Sequence, residues 1–369
     1  MKRITLDKIA SVTGKLGLSK SALISPEITA APGYVIAVQA LDRKEVYNKV
    51  EDPAGRMVKI YPGDVIAGAL GERKALQGYE GRVPEKIEVG DVLHLLNLGG
   101  VVGLCTSFNP MVGSPMRVKV LGAVQAFPVF ESRQGVPAHI KMSALDPVET
   151  LGRTPPIVFV SGTCMNSGKT LAACEIVRVL SRAGLSVGAA KLTGVALRRD
   201  TLAMVDCGAR RALSFSDAGY PSTSAETAPE AARAVLSALS APSSEDLDVI
   251  VAELGDGLLG EYGVLPILEQ PDILERKVVH VCCASDPVGA FGATAIFEAQ
   301  LGTKPHIFTG PVTDNRVGCA YIQDQLGVEA LNACQSPLEL GEAVLDILKG
   351  EVAAEVLQSE SAEVVDVAV

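Results

Sequence analysis

The chain has 369 residues, 48% of them apolar and only 4% aromatic, with a formal net charge of −10. Its length exceeds that of one typical domain, so we expect two domains and a large buried core. The negative charge argues against a nucleic-acid or anionic-membrane partner, although it leaves room for a local basic pocket that binds phosphates.

The N-terminal residues carry charges but lack the apolar core of a signal peptide, and no run of about 18 apolar residues occurs in the chain. We therefore expect a cytoplasmic protein with no membrane span. None of the eight cysteines belongs to a C-x-x-C pair, which argues against a zinc site. Buried reduced thiols are the simple interpretation, and Cys164 is the candidate for redox sensitivity.

Residues 1–150 are expected to form a small, mostly-β domain, beginning with a mixed basic stretch that predicts a short helix. Short apolar runs separated by Gly-Asp, Pro-Gly and Gly-Gly turns predict strands at 34–38, 57–60, 62–66, 86–89, 90–96, 99–104 and 117–121. Such a pattern is typical of a barrel or sandwich. The domain could dock a partner, present a substrate, cover a neighbouring site, or serve only structure or oligomerisation. We interpret His94 as a packed or surface strand residue.

Several prolines between residues 131 and 156 indicate a domain boundary near residue 150. After residue 156 the sequence alternates between the apolar runs of strands and the apolar spacing of helices. Strands are predicted at 157–160, 186–190, 248–253, 278–283 and 306–310, and helices at 171–183, 229–239, 289–300 and 336–348. This predicts an α/β domain over 151–350, with a mostly parallel sheet, flanking helices and ligands bound at the carboxyl ends of the strands. Residues 351–369 are predicted to be an acidic mobile tail.

The first of these strands leads into a small-residue loop and then into Gly168, Lys169 and Thr170 at the start of a helix. Strand, glycine loop and helix in this order form a phosphate-binding P-loop. Backbone N–H groups surround the phosphates, the lysine reaches the β- and γ-phosphates, and the threonine hydroxyl binds Mg²⁺. The predicted nucleotide-binding residues are Gly162, Thr163, Cys164, Met165, Asn166, Ser167, Gly168, Lys169 and Thr170.

The spacing departs from the usual motif in one respect. Five residues separate Gly162 from Gly168, whereas the common pattern has four. The alternative interpretation is a chance Gly-Lys-Thr at a helix start, which leaves the flanking strand and helix unexplained.

Polar side chains follow two other predicted strands at the same sheet edge. Lys191 could neutralise a transferring phosphoryl group or orient an anionic substrate, and Glu253 could bind Mg²⁺ directly or through water. Asp256 lies in a Gly-Asp-Gly turn, where a turn role competes with a functional one. Asp206 or Asp217 could complete the metal site, and the sequence does not select between them.

Arg198 and Arg199 are candidates for contact with a phosphate or carboxylate, with a solvated charged face as the alternative.

The loop from Gly162 to Thr170 resembles that of the dethiobiotin synthetases, which also begins Gly-Thr and has five residues between its glycines. The interval from Lys169 to Lys191 is similar to the family's spacing between its P-loop lysine and its substrate-handling lysine. Residues 251–257 resemble a family stretch whose glutamate binds Mg²⁺, and residues 309–315 fall where the family reads the nucleotide base. The resemblance covers about residues 155–350.

The resemblance implies a P-loop NTPase fold, ATP and Mg²⁺ as cofactors, and a homodimer. Lys169 and Lys191 would be catalytic, and Asn315 would contact the base. Thr170 and Glu253 would hold the metal with Asp206 or Asp217. The segment after Lys191 is shorter than in the family, and the substrate loop differs. The resemblance therefore implies the wider dethiobiotin synthetase-like group rather than that enzyme.

Two functions of different classes remain open. The first is an enzyme that uses ATP and Mg²⁺ to activate a small anionic substrate, a carboxylate or carbamate, for ligation to an amine; a plain small-molecule kinase is its close variant. The second is a nucleotide-gated accessory or cofactor-maturation protein whose N-terminal domain docks a client. No Asn-Lys-x-Asp guanine motif is present, which favours ATP over GTP.

Overall fold

A computed structural model describes residues 1–129, 134–242 and 246–350. The predicted tail, 351–369, lies outside the described residues. Two separate large sheets are present, one formed by residues before 140 and the other by residues after 155. The division into two domains with a boundary near residue 150 stays a prediction.

The N-terminal region contains thirteen strands in the described residues. They are β1 (Lys2–Thr5), β2 (Lys8–Ile9), β3 (Ser21–Ser25), β4 (Val35–Ala40), β5 (Lys49–Glu51), β6 (Met57–Lys59), β7 (Val65–Leu70), β8 (Arg73–Lys74), β9 (Tyr79–Arg82), β10 (Val92–Leu95), β11 (Val101–Phe108), β12 (Met116–Ala126) and β13 (Val136–Pro137). Short 3₁₀ turns occur at Ser11–Leu16, Pro110–Val112 and Ile140–Ser143.

Five of these strands close into a small barrel. β12 pairs with β4, β4 with β7, β7 with β11, β11 with β10, and β10 back with β12. Along the first half of β12, Val118 and Val120 are buried whereas Arg117 and Lys119 are exposed, so the strand alternates as a half-buried strand must. The sequence prediction of a barrel or sandwich is thus resolved as a barrel.

The N-terminal prediction is wrong in part. The basic stretch contains a short 3₁₀ helix at Ser11–Leu16, but strands β1 to β3, which were not predicted, flank it. Residues 86–89 form no strand, because the carboxylate of Asp91 accepts a hydrogen bond from the Glu88 N–H (2.8 Å) and closes a turn. Only Ile87 of that segment is buried.

The second sheet has seven parallel strands in the order β16-β15-β17-β14-β18-β19-β20. They are β14 (Ile157–Gly162), β15 (Val187–Thr193), β16 (Arg211–Ser214), β17 (Val249–Leu254), β18 (Val278–Cys283), β19 (Ile307–Thr309) and β20 (Glu329–Ala330). The predicted strands are therefore confirmed, whereas β16 and β20 were not predicted. All carboxyl ends meet at one edge, where parallel sheets bind ligands.

Helices connect these strands. They are α1 (Lys169–Arg182), α2 (Arg199–Asp206), α3 (Ala228–Ser240), α4 (Val264–Leu268), α5 (Pro271–Leu274), α6 (Pro287–Ile296), α7 (Arg316–Tyr321) and α8 (337–350). Wider π turns follow α6 at Phe297–Leu301 and α7 at Ile322–Leu326, and a 3₁₀ turn occupies Pro311–Thr313. The predicted α/β fold with a parallel sheet and flanking helices is confirmed.

The sheet buries both of its faces, as the continuous apolar sequence of β14 requires. Ile157 and Phe159 point into a core shared with the barrel, whereas Val158 and Val160 point into a second core with α1 and α8. One continuous core therefore joins the barrel to one face of the parallel sheet. Within the described residues, no helix is long and apolar enough to cross a membrane.

Candidate functional site

The loop after β14 has the backbone expected of a phosphate-binding loop. It leaves the sheet at Gly162, where the Thr163 N–H donates to the Cys283 carbonyl (2.9 Å), and it enters α1 at Lys169. Gly168 has φ +95°, a conformation that glycine adopts without strain. A Cβ on Gly162 would lie 2.5 Å from the Ser167 hydroxyl oxygen, so the strand end and the loop approach too closely for a side chain.

Lys169 lies inside this loop and is 6% exposed. Its ammonium donates to the Cys164 carbonyl (2.7 Å) and lies 3.4 Å from the Ser167 hydroxyl oxygen. Burial lowers the pKa of Lys169. No carboxylate of the described residues forms an ion pair with it, so its charge is directed at the loop and available to an anion.

A compact polar cluster lies beside the loop. One carboxylate oxygen of Glu253, Oε1, accepts from the Thr170 hydroxyl (3.0 Å) and from the Lys191 ammonium (2.8 Å). Lys191 also donates to the Asp200 carboxylate (2.6 Å). The structure thus brings together four side chains from α1, β15, α2 and β17, of which the sequence predicted three.

The cluster is buried and its charges are coupled. Burial opposes the charge on Lys191, but Glu253 and Asp200 outweigh it and raise the pKa of that ammonium. Burial likewise opposes the charge on Asp200, and Lys191 nevertheless lowers its pKa. The second Glu253 oxygen, Oε2, is buried without a hydrogen-bond partner in the described residues, which leaves one acceptor for a ligand.

Asp200 is the cluster residue that sequence reasoning missed. It lies in the first turn of α2, a helix that has no side-chain cap of its own. Glu51, at the end of β5 and fully buried, caps α2 instead by accepting from the N–H groups of Arg198 (2.7 Å) and Arg199 (2.8 Å). The only local signal was an acid nine residues after Lys191, which α2 brings back to the strand end.

The other two acids do not reach this cluster. Asp206 is exposed at the last residue of α2, the opposite end from Asp200. Asp217 accepts from the Ser214 N–H (2.6 Å) and pairs with Lys15 of the N-terminal region (2.7 Å). Neither acid therefore joins the cluster, in which Asp200 is the acid beside Lys191. A metal role for any of these acids stays a prediction.

The two candidate arginines are also directed elsewhere. The Arg198 guanidinium donates to the Pro53 carbonyl, and the Arg199 guanidinium lies 3.6 Å from Asp200. Both side chains are largely exposed. They therefore support α2 and its contact with the turn between β5 and β6, and they do not contact the P-loop.

Asn315 caps α7 after β19, at the same sheet edge. Its side-chain oxygen accepts from the N–H groups of Val317 (3.0 Å) and Gly318 (3.4 Å). The preceding Gly310 packs against the P-loop so closely that a Cβ there would lie 2.4 Å from the Ser167 carbonyl oxygen. Asn315 thus follows a segment in contact with the loop, and its contact with a base stays a prediction.

A cavity of about 490 Å³ lies between the P-loop and the barrel. It is lined by Lys74, Ala75, Leu76, Gly78, Glu80, Ser107, Phe108, Asn109, Thr163, Cys164, Met165, Asp256, Gly257, Leu259, Gly260 and Glu261. The P-loop also contacts the turn between β8 and β9, where the Gln77 amide oxygen accepts from the Asn166 amide (2.5 Å). The size of the cavity suits a small organic molecule.

Asp256 lines this cavity in a left-handed backbone conformation, with φ +75°. Burial raises the pKa of its carboxyl group, and no lysine or arginine of the described residues forms an ion pair with it. The neighbouring Gly257 packs against the P-loop, where a Cβ would lie 2.5 Å from the Thr163 carbonyl oxygen. A strained, partly desolvated acid beside the loop is typical of a functional position.

Cys164 lies at the same place, with its sulfur 3.1 Å from the Ser285 hydroxyl oxygen. Its redox sensitivity stays a prediction. Within the described residues, no set of three or more His, Cys, Asp or Glu side chains is arranged to hold a metal ion. A metal at this site would therefore rely on few protein ligands, as Mg²⁺ commonly does when phosphates supply the rest.

Strand, loop, helix and parallel sheet together define a P-loop NTPase fold. A scan against protein-family models and a search of curated proteins both give no match. Among solved structures, the chain is similar to chloroplast FtsY from Physcomitrella patens (15% identity, TM-score 0.37, 57% of this chain and 70% of that one). It is also similar to a DUF1611 family protein from Anabaena variabilis (14%, 0.38, 56% and 62%).

A third similar structure is the signal recognition particle 54 kDa protein from Aeropyrum pernix K1 in complex with GDP (17% identity, TM-score 0.34, 57% of this chain). The alignment spans 50% of that protein's length. Likeness at this level carries no information on activity, nucleotide or partner. The grouping with dethiobiotin synthetases is not confirmed by these comparisons.

Proposed function

We propose that the chain binds ATP with Mg²⁺ at the P-loop and transfers the γ-phosphoryl group to a small carboxylate or carbamate, which an amine then attacks. The observation that supports this most directly is the buried group of Lys169, Thr170, Glu253 and Lys191 around the loop. Phosphoryl transfer requires mainly positioning and neutralisation of charge, and these side chains can supply both.

Each residue has a role in this proposal. Lys169 and the loop N–H groups bind the phosphates, and Lys191 neutralises the transferring group. Thr170 and the unpartnered oxygen of Glu253 fit a Mg²⁺ ion. Asp200, which accepts from Lys191, would offset the positive charge of that ammonium. When bound, Mg²⁺ would neutralise charge on the β- and γ-phosphates. The absence of a guanine-binding Asn-Lys-x-Asp motif favours ATP.

The cavity beside the loop suits the amine of the second step. Three carboxylates, Asp256, Glu80 and Glu261, line it against the single ammonium of Lys74, which is already paired with Glu261 (2.7 Å). An ammonium group would offset the uncompensated charge of Asp256. The carboxylate to be activated would lie nearer Thr163, toward the γ-phosphate.

Replacing the loop lysine tests the proposal. Lys169→Ala should leave the thermal unfolding temperature nearly unchanged and reduce ATP turnover by at least about 10²-fold, since it removes the cation that faces the phosphates. Release of ADP is measured with a panel of small carboxylic acids, with and without amines. Lys59→Ala, which replaces an exposed lysine on β6, is the matched control.

Turnover by Lys169→Ala at the rate of the unchanged protein would show that the site is misassigned. If the protein hydrolyses ATP but no acid or amine stimulates that hydrolysis, the assignment of the P-loop would stand and only the proposed ligase step would be wrong.

A second function is favoured by one contact. The Asn166–Gln77 hydrogen bond links the P-loop directly to the turn between β8 and β9, so occupancy of the loop can alter the surface of the N-terminal region. A nucleotide-gated accessory protein whose barrel docks a client would use this link. Turnover that rises only with a protein partner, and not with small acids, would favour it. A homodimer stays a prediction that light scattering on the eluting protein can check.

A further inference from the structure

A second cavity, of about 590 Å³, opens on the barrel away from the P-loop. Its walls are Leu41, Asp42, Arg43, Lys44, His94, Cys105, Thr106, Phe108, Ser114, Pro115 and Arg117. It shares only Phe108 with the cavity at the P-loop, and no residue of the loop lines it. Whatever binds here is therefore recognised by the barrel alone.

The charges of this cavity are unusual for a chain of net charge −10. Three cations, Arg43, Lys44 and Arg117, face a single acid, Asp42. Two nitrogens of the Arg117 guanidinium donate to the Asp42 carboxylate (2.8 and 3.2 Å), and this contact lowers the pKa of Asp42. The negative charge of Asp42 is thus already matched by Arg117, which leaves Arg43 and Lys44 uncompensated.

Lys44 is held in place by neutral groups. Its ammonium donates to the Tyr79 hydroxyl (3.1 Å) and to the Ser114 carbonyl. Burial raises the pKa of Tyr79 to about 12, so the phenol is uncharged at neutral pH. No carboxylate of the described residues forms an ion pair with Lys44 or Arg43. A half-buried ammonium with only neutral partners favours an anionic ligand.

His94 adds a directed donor. Its Nδ1 accepts from the Cys105 N–H (3.1 Å), which places the proton of the neutral ring on Nε2. On β10 it lies directly across from Arg117 of β12, so the donor and the cations share one wall. The remaining wall is apolar, from Leu41, Phe108 and Pro115.

We infer that this cavity binds a small organic molecule through a phosphate group, held by Lys44, Arg43 and the Nε2–H of His94, with an apolar body against Phe108. A phosphate monoester carries about −1.5 to −2 charges and three acceptor oxygens, which matches two free cations and a directed N–H better than a carboxylate does. The proposal does not depend on what the P-loop site does.

Calorimetric titration with phenyl phosphate tests the inference. We expect binding by the unchanged protein and by Lys169→Ala alike, since the P-loop does not line the cavity. Lys44→Met should weaken it about tenfold or more, and Arg43→Gln should weaken it severalfold, because each removes an uncompensated cation. Lys49→Met, an exposed lysine on β5, is the matched control. Raising the salt concentration should weaken binding.

Arg43 is exposed and contributes little to packing, so its variant tests the site even where loss of the Lys44 contacts loosens the barrel. The proposal would be overturned if Lys44→Met and Arg43→Gln both bound phenyl phosphate as tightly as the unchanged protein does. It would also be overturned if the unchanged protein did not bind it. Loss of binding in Lys169→Ala would overturn it as well, because that would place the ligand in the P-loop. Benzoate binding as tightly as phenyl phosphate would refute the assignment to phosphate.

Discussion

Glu253 concentrates the chemistry of the P-loop site in one carboxylate. One oxygen accepts from Thr170 and Lys191, and the other is buried without a partner in the described residues. Such an arrangement orders the acid before a ligand arrives and leaves one oxygen to receive it. The strand that carries it also explains its burial, since Glu253 is 1% exposed between two parallel neighbours.

Glu253→Gln should separate metal dependence from nucleotide affinity. The amide keeps the volume of the side chain but removes its charge, so we expect ATP turnover to fall about 10²–10³-fold. Binding of ATP without Mg²⁺ should change only severalfold. Both are measured by titrating Mg²⁺ in turnover and binding assays, with Glu275→Gln, an exposed acid at the end of α5, as the control. Unchanged turnover would contradict the metal role.

His280 makes a different prediction, about stability and pH. It is 4% exposed, its ring lies 5.2 Å from that of Phe297 and 5.9 Å from that of His306, and its Nδ1 has no hydrogen-bond partner in the described residues. Burial, with a contribution from His306, lowers the pKa of His280 from 6.5 to about 3.

Between those two pH values the unfolded chain binds more protons than the folded one, so folding stability falls as the pH falls. When the pH is lowered from 7.5 to 5, His280 should reduce the free energy of unfolding by ~2 kcal/mol. Denaturant unfolding at both pH values checks this. The loss in His280→Phe should be smaller than in the unchanged protein by about that amount. Equal losses in the two proteins would show that His280 is not the source.

At the scale of elements, helix α2 depends on a residue distant in sequence. Glu51 of β5 is fully buried and accepts from two N–H groups at the start of α2, the helix that brings Asp200 to Lys191. A strand of the N-terminal region that pairs with β6 outside the barrel therefore supports the candidate active site of the parallel sheet through one carboxylate.

Glu51→Gln should weaken both the fold and the activity. The amide replaces one acceptor with a donor that faces an N–H group, which we expect to cost about 1–3 kcal/mol of unfolding free energy. ATP turnover should fall with it, because α2 no longer holds Asp200. Chemical denaturation and turnover are compared with Glu45→Gln, which replaces an exposed acid in the segment between β4 and β5. Loss of stability without loss of turnover would show that α2 stays in place without this cap.

Elements with strong local patterns were predictable, and those held by distant contacts were not. β14, its loop and α1 were found because the apolar run, the glycines and the helical spacing lie in one continuous stretch. α2 is short and lacks a local cap, so neither it nor Asp200 could be recognised. Segment 86–89 has the composition of a strand, but Asp91 turns it.

At the scale of the whole molecule, the barrel packs closely against the segment that follows β15 of the parallel sheet. Asn97, in the turn before β11, donates to the Ala196 carbonyl (2.6 Å) and accepts from the Val101 N–H (2.9 Å). The neighbouring Gly99 is buried against the same carbonyl. One turn of the barrel thus fixes the segment that follows Lys191, which no local pattern in the sequence could reveal.

Gly99→Ala should test this junction. A Cβ there would lie 1.8 Å from the Ala196 carbonyl oxygen. Because that oxygen belongs to the backbone, it cannot move away by a side-chain rotation. The barrel and the sheet must therefore move apart, and we expect a loss of about 1–3 kcal/mol in stability. Turnover should also fall, since the displaced segment leads from Lys191 to Asp200. Gly152→Ala, which would meet nothing within 4 Å, is the control in denaturation and turnover assays. If Gly99→Ala matches that control in both, the barrel is not tightly seated on the sheet, and the proposed link between them fails.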